Sequence, residues 1–414
     1  MNPKNLASTA AVAAVMSLGL SVQGEAQEPA GTFTEITPLG PEINSPFHDH
    51  LPCASGDGLS LAIASDRAVG SGSREAFDMY IADRPDTGQP FPEVRIIEEL
   101  NTSTLDYPNF LSEDGLTLYF TTDFPHPGSS GSYDIYFSRR LSREEPFGEP
   151  QPVPGINSAD SDYAISLTAD GLEAYFNSHR PGSRGADIWV GRRSSADGDE
   201  PFTVRNLQEV NTIFWESAPS ISADGLTLMW GDDFFGDSLG SGRRIGGHGG
   251  LDLWWASRAS RQDPFGKTTN LGSPVNTIAA EFWARFSPRW PEDGSILYFG
   301  RCMTCNHDSD IYQAIWHVTP QPSFIRGEAN DDGKVDLSDA VFILGFLFLG
   351  ATEPTCREAL DANDDGAIDI ADAISLLGHL FLGSPPTLPG LGVCETLDGS
   401  ATLGCESSSR QCDI

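Results

Sequence analysis

Apolar residues recur along this chain in short alternating stretches, such as LTLYF at Leu116 to Phe120 and LTLMW at Leu226 to Trp230. A period of two predicts strands that bury one face. Each stretch follows an Asp-Gly turn: Asp57-Gly58, Asp114-Gly115, Asp170-Gly171, Asp224-Gly225 and Asp293-Gly294. A further strand follows, opening on an Asp with an aromatic two places on, at Asp78/Tyr80, Asp134/Tyr136, Asp187/Trp189, Asp252/Trp254 and Asp310/Tyr312. Loops rich in Gly, Ser and Arg join the two strands and vary in length, the longest running from Asp232 to Leu251. Variable loops on a constant frame are where binding specificity usually resides.

The frame repeats. An Asn is followed five positions later by an acid at Asn44/Asp49, Asn101/Asp106, Asn157/Asp162, Asn211/Glu216 and Asn276/Glu281. Four of the Asp-Gly turns come thirteen residues after their Asn, and the fifth comes four residues later still. A Phe opens each unit, at Phe33, Phe91, Phe147, Phe202 and Phe265. Units of about 50 to 65 residues with four short strands each cannot bury both sheet faces alone. A closed all-β propeller of five blades satisfies them. The strand around Phe33 to Thr37 is expected to complete the last blade, formed by Phe286 to Trp316, so that no edge is left open.

The phrases PSISADGLTL (Pro219 to Leu228) and SHRPGSRGADIWV (Ser178 to Val190) resemble the WD40-like PD40 repeats of TolB-type propellers. The resemblance covers Phe33 to Trp316. It implies a platform for binding and, less often, an enzyme, because function resides in sites grafted onto such a fold.

After a break at His317 to Ser323, with Pro320 and Pro322, the pattern changes in kind. EANDDGKVDLSD, Glu328 to Asp339, is matched 33 residues on by DANDDGAIDIAD, Asp361 to Asp372, and an apolar helical stretch follows each. Calcium takes six to eight oxygen ligands, and a twelve-residue loop supplies them from positions 1, 3, 5, 7, 9 and 12 with glycine at the sharp bend. Those positions select Glu328, Asn330, Asp332, Lys334 (by its carbonyl) and Asp339 in the first loop. In the second they select Asp361, Asn363, Asp365, Ala367 (by its carbonyl) and Asp372. Gly333 and Gly366 stand at the bend, and Asp336 and Asp369 are placed to act through water. The duplicated loop-helix units, with Asp rather than Glu at the last position, resemble type I dockerins. That resemblance implies a small all-α calcium-binding domain that docks onto a cohesin-like or other extracellular protein. Glu328 departs from the Asp that the family prefers at position 1. Phe342, Ile343, Phe346, Leu347, Ile374, Leu377, Leu380 and Phe381 are expected to pack the two helices together.

Charge and cysteines narrow the partners. The formal charge of −34, from 59 acidic and 25 basic residues among 414, disfavours nucleic acid and anionic membranes and favours neutral or cationic partners. Lys4, the apolar run Leu6 to Leu20 and the small residues Gly24 and Ala26 read as an export signal. No other segment approaches the length of a membrane span. Seven cysteines in an exported chain point to disulfides with one thiol left over, and Cys356, Cys394, Cys405 and Cys412 point to two staples near the end. The expected organisation is a signal at 1–26, a propeller at 31–317, a linker at 318–326, the dockerin-like module at 327–383 and a cysteine-containing tail at 384–414.

Other features carry two readings. The acids Asp49, Asp106, Asp162, Glu216 and Glu281 form either a ring of ligands at the channel mouth or five equivalent turn caps. Cys302 and Cys305, near His307 and Asp308, make half a zinc site, a local disulfide, or a bridge to Cys53. Tyr107, Tyr163, Trp215 and Trp283 stack on sugar or pack between blades. Three functions follow: a secreted or cell-surface recognition protein, with a glycan as a possible propeller ligand, attached by its calcium module; a dockerin-borne glycoside hydrolase active in polysaccharide breakdown, with Asp106, Asp162 and Glu216 as its acids; or a component of an extracellular coat.

Overall fold

The computed structural model describes residues 29–67, 77–196, 200–232, 244–287, 289–303, 309–319, 323–382, 394–396, 403–405 and 412. The expected export signal, and Cys305, His307 and Asp308, lie outside these residues.

Five four-stranded antiparallel sheets form the blades. Their innermost strands are Asp49–Ala54, Asp106–Leu111, Asp162–Leu167, Glu216–Ile221 and Ala280–Phe286. Each adjoins the next, and the fifth adjoins the first, so the ring is closed. The last blade takes its outer strand from Gly31–Pro38, which pairs antiparallel with Asp310–Val318 and sets Phe33 opposite Trp316. The predicted closure therefore holds. Phe33, Trp255, Phe286, Trp290 and Trp316 are all buried in one core at that seam.

The sequence repeat and the blade are offset by one strand. The outer strand Arg95–Ile96 of the first blade follows Phe91 and precedes Asn101, so one sequence unit supplies the edge of one blade and the interior of the next. The repeated Asn closes this junction. Asn101 accepts from Met79 N (2.7 Å) and donates to Met79 O (3.1 Å), both main-chain groups of a third-strand residue in the preceding blade. Asn157 does the same to Ile135, Asn211 to Ile188, Asn276 to Leu253 and Asn44 to Ile311. A side-chain amide thus extends the ladder where the main chain has turned away. The Asp-Gly turns are equally regular. Asp57, Asp114, Asp170 and Asp224 each accept from the main-chain N–H two residues on. The glycine takes a positive φ between 66° and 79° in all five turns, a region open to glycine without a Cβ clash.

Outside the blades, two helices of thirteen residues occur, α1 (Leu337–Leu349) and α2 (Ile370–Leu382). Asp336 caps α1 and forms a reciprocal capping box with Asp339, and Gly350 closes it in a left-handed conformation. The two helices pack on each other around Ala340, Ile343, Ala373 and Leu376, with Leu360 and Ala362. Of the residues expected at this contact, Ile374 and Phe381 are instead 60% and 64% exposed. A helix of this length has room for one buried stripe, and these two lie outside it. Disulfides Cys356–Cys405 and Cys394–Cys412 tie the end of the chain. No helix is long and apolar enough to cross a membrane among the described residues.

Candidate functional site: the axial cavity

The innermost strands have two chemically distinct ends. At the start of each stands the repeated acid, and all five acids are 0% exposed. Each is turned back on its own unit: Asp49 on Ser45, Asp106 on Thr102, Asp162 on Ser158, Glu216 on Thr212 and Glu281 on Thr277, each accepting the main-chain N–H four residues earlier. Arginines neutralise four of them, with Arg67 on Asp49, Arg180 on Asp162 (2.6 Å), Arg244 on Glu216 (3.4 Å) and Arg301 on Glu281 (2.8 Å). The ligand ring expected at the channel mouth is therefore corrected. These carboxylates clasp turns and offer no open oxygen to a ligand. Asp106 differs from the rest. Phe124 stands where the first and third units have Arg67 and Arg180, and the Asp106 Oδ1, like the Glu216 Oε2, is buried without a hydrogen bond. Burial lifts its carboxyl to about 6 against the pull of the nearby Thr122 and Thr102 groups. Glu216 rises to about 7, again through burial, which the Thr212 hydrogen bond and the charge of Arg244 do not offset.

The aromatics beside the acids pack as walls. His50 lies 4.5 Å from Trp283 and 6.1 Å from Tyr107 between ring centroids, and Tyr163, His179 and Trp215 form a second stack. Cys53 is a free buried thiol and Cys302 is disulfide-bonded, which rules out a bridge between them.

Beyond the acid every innermost strand carries an irregularity in register. Leu51, Ala164, Ala218 and Trp283, each two residues past its acid, have φ between 50° and 59°, a left-handed conformation that costs a non-glycine residue about 1–3 kcal/mol. In the second unit this place is taken by Pro108, whose ring holds φ negative. A bulge re-aims the side chains that follow it. Four residues past each acid stand Cys53, Phe110, Ser166, Ser220 and Arg285, and all five line one cavity of about 250 Å³ on the axis. Four different side-chain types occupy this position, as at the other positions that follow the acid.

Arg285 crosses the axis. Its Nε donates to Asn109 O in the second blade (3.0 Å), and its Nη1 donates to Ala218 O and Pro219 O in the fourth (3.1 Å each). Its Nη2 has no acceptor, and no carboxylate pairs with Arg285 among the described residues. Burial pulls its pKa down to about 10 and pushes the neighbouring Cys53 thiol up to about 12, so at neutral pH the guanidinium is charged and the thiol is not. Ser166 and Ser220 each accept a main-chain N–H of the following blade, from Ile221 and Phe286, which leaves their own O–H groups to donate. Toward the mouth, Glu113 and Asp170 also line the cavity. Burial raises Glu113, with Asp57 and Asp114 adding to the effect. In Asp170 burial is outweighed by the Arg261 and Thr168 hydrogen bonds, and its carboxyl falls to about 2.

The twin acidic loops share one conformation. Glu328 and Asp361 accept from the main chain of residues four and five positions on; Asp339 and Asp372 accept from the loop's start and from the residue three before them. Asp331 and Asp364 both have φ 58°. Burial raises Asp372 to about 6, with Asp361 and Asp365 adding repulsion. Among the described residues no three His, Cys, Asp or Glu side chains stand grouped around one metal position. The set picked from the loop spacing also includes the Asn330 and Asn363 amides and two main-chain carbonyls.

No family model matches the sequence, and no curated protein matches it. Solved structures do resemble the fold. A thermostable family-43 glycoside hydrolase is 14% identical, with 69% of this chain and 98% of that chain covered and a TM-score of 0.44. A putative TolB from Agrobacterium tumefaciens is 15% identical, covering 71% and 100%, with a TM-score of 0.32. An endo-arabinase from Bacteroides thetaiotaomicron is 12% identical, covering 67% and 96%, with a TM-score of 0.42. The cavity position does not stand out in the sequence: every position from one to five residues past the acid carries four different residue types across the five units, and the fold alone shows which of them line the cavity.

Proposed function

We propose that this chain is an exported recognition protein whose axial cavity takes a small ligand and whose paired acidic loops attach it to an extracellular partner when calcium is bound. The observation that carries the ligand half is the cavity itself, about 250 Å³ with Arg139, Arg193, Arg285 and several hydroxyls on its wall. Concave sites with a few convergent polar groups are the usual place for small-molecule recognition. Disulfides at the end of the chain fit an oxidising compartment. Calcium would be held by Glu328, Asn330, Asp332, Asp339 and the Lys334 carbonyl, and by Asp361, Asn363, Asp365, Asp372 and the Ala367 carbonyl. Glu328, Asp339 and Asp372 are held above their ordinary range first by burial and then by neighbouring carboxylates, a repulsion that a cation would relieve. When bound, the ion would supply positive charge that relieves the repulsion and fixes the start of α1 and α2. Exposed Val341, Phe348, Ile374 and Phe381 then offer an apolar face to a cohesin-like partner. Calorimetry with calcium on the full chain tests this half: two sites are expected, and D361N with D372N should remove one of them. Heat unchanged by those substitutions would refute the assignment. A panel of neutral and charged monosaccharides tests the ligand half.

A second reading, hydrolysis of polysaccharide, is favoured by one observation. Glu113 and Asp170 line the same mouth with carboxyls pushed in opposite directions, as an acid and an ionised partner must be. Release of reducing sugar by the full chain, abolished by E113Q, would favour this reading over the first.

A further inference from the structure

We propose that the axial cavity is a carboxylate site, in which the Nη2 of Arg285 and the hydroxyls of Ser166 and Ser220 receive the anionic group of a small hydroxylated acid. This deepens the cavity reading above and rests on it. Arg285 is 4% exposed, and burying a guanidinium without a carboxylate is costly. Two of its three nitrogens are satisfied by main-chain carbonyls from two other blades, which hold the group at the axis. The third is left over. A structural arginine, like Arg140 with Asp83 or Arg258 with Glu173 in this same ring, has its carboxylate. Arg285 has none among the described residues, and the neutral Cys53 beside it supplies no counter-charge.

The surrounding groups point the same way. Ser166 and Ser220 each accept one main-chain N–H, and their O–H groups remain to donate. A charged guanidinium N–H beside two hydroxyl donors suits an oxyanion better than a neutral hydroxyl. The formal charge of −34 opposes the approach of an anion. At physiological salt, however, fields are screened over about 8 Å, and Arg139 and Arg193 line the same cavity with Arg285, against the carboxylates of Glu113 and Asp170 at its mouth. A volume of about 250 Å³ limits the ligand to a single small molecule rather than an extended chain.

Calorimetry of the full chain with glucuronate, and with glucose as the neutral counterpart, tests the proposal. Glucuronate is expected to bind at least tenfold more tightly than glucose, R285Q to abolish the preference, and R285K to weaken it. A223W narrows the half-buried mouth without touching Arg285 and should block glucuronate; it also decides the case if the Arg285 variants do not fold. Equal binding of both sugars, blocked by A223W and indifferent to R285Q, would overturn the carboxylate and leave the cavity reading standing. Glucuronate binding that ignores A223W would place the site elsewhere, and no binding of either sugar would remove both readings.

Discussion

The two ends of the innermost strands obey opposite rules. At the acid end, five units carry the same group in the same role, fully buried and hydrogen-bonded within the unit. Four residues on, the same strands present Cys53, Phe110, Ser166, Ser220 and Arg285 around a cavity. In a ring of equivalent blades, whatever every blade needs in order to fold must recur, and a single axial ligand needs each group only once. Recurrence therefore marks scaffold here, while the positions four and five residues past the acid, which vary, line the cavity.

The largest expected effect tests the scaffold end. Asp162 is fully buried and its Oδ1 is 2.6 Å from Arg180, itself nearly covered. D162A strands that guanidinium and frees the turn at Ser158, so a loss of about 3–5 kcal/mol is expected in chemical denaturation. A loss under about 1 kcal/mol would mean that the acids are not what holds the units together.

A smaller and opposite effect is expected where the scaffold rule lapses. Asp106 has no arginine, and its carboxyl titrates near 6 instead of 3.8. A folded-state pKa raised in this way contributes stability that is complete below about 3.8 and lost as pH rises through about 6. Ionisation inside the fold then costs about 3 kcal/mol by linkage. D106N should flatten the pH dependence of the melting temperature between pH 4 and pH 7 and gain stability at pH 8. An unchanged pH profile would show that Asp106 is solvated or paired in solution.

Much of this was legible in the sequence, and the missing part has a physical cause. The ring, its closure by Gly31–Pro38 and the turns at the Asp-Gly pairs follow from local periodicity and from glycine's positive φ, both written in adjacent residues. The role of the acids was not readable in that way. An acid at the head of an inner strand looks the same whether it faces the channel or folds back on a Ser or Thr four residues earlier, and Arg180 reaches Asp162 from the far end of the neighbouring strand. Arg285 is a starker case. Nothing around it in the sequence distinguishes it from the exposed Arg289, because its partners, Asn109 O and Ala218 O, come from other blades.

The smallest effect is the sharpest test of the contrast. Ser166 sits in the cavity register, and its hydroxyl accepts Ile221 N at 3.2 Å across the blade boundary. S166A removes one hydrogen bond, worth about 1 kcal/mol, and creates no uncompensated charge, so the melting temperature should move little. If the cavity is the site, the same substitution should weaken the binding of an acidic sugar several-fold, because it deletes a donor of the group proposed to receive the carboxylate. Stability and binding should thus separate at Ser166, whereas at Asp162 any loss of binding should only follow the loss of fold. Should S166A unfold the chain as severely as D162A, both ends of the strand would be scaffold, and the contrast between them would fail.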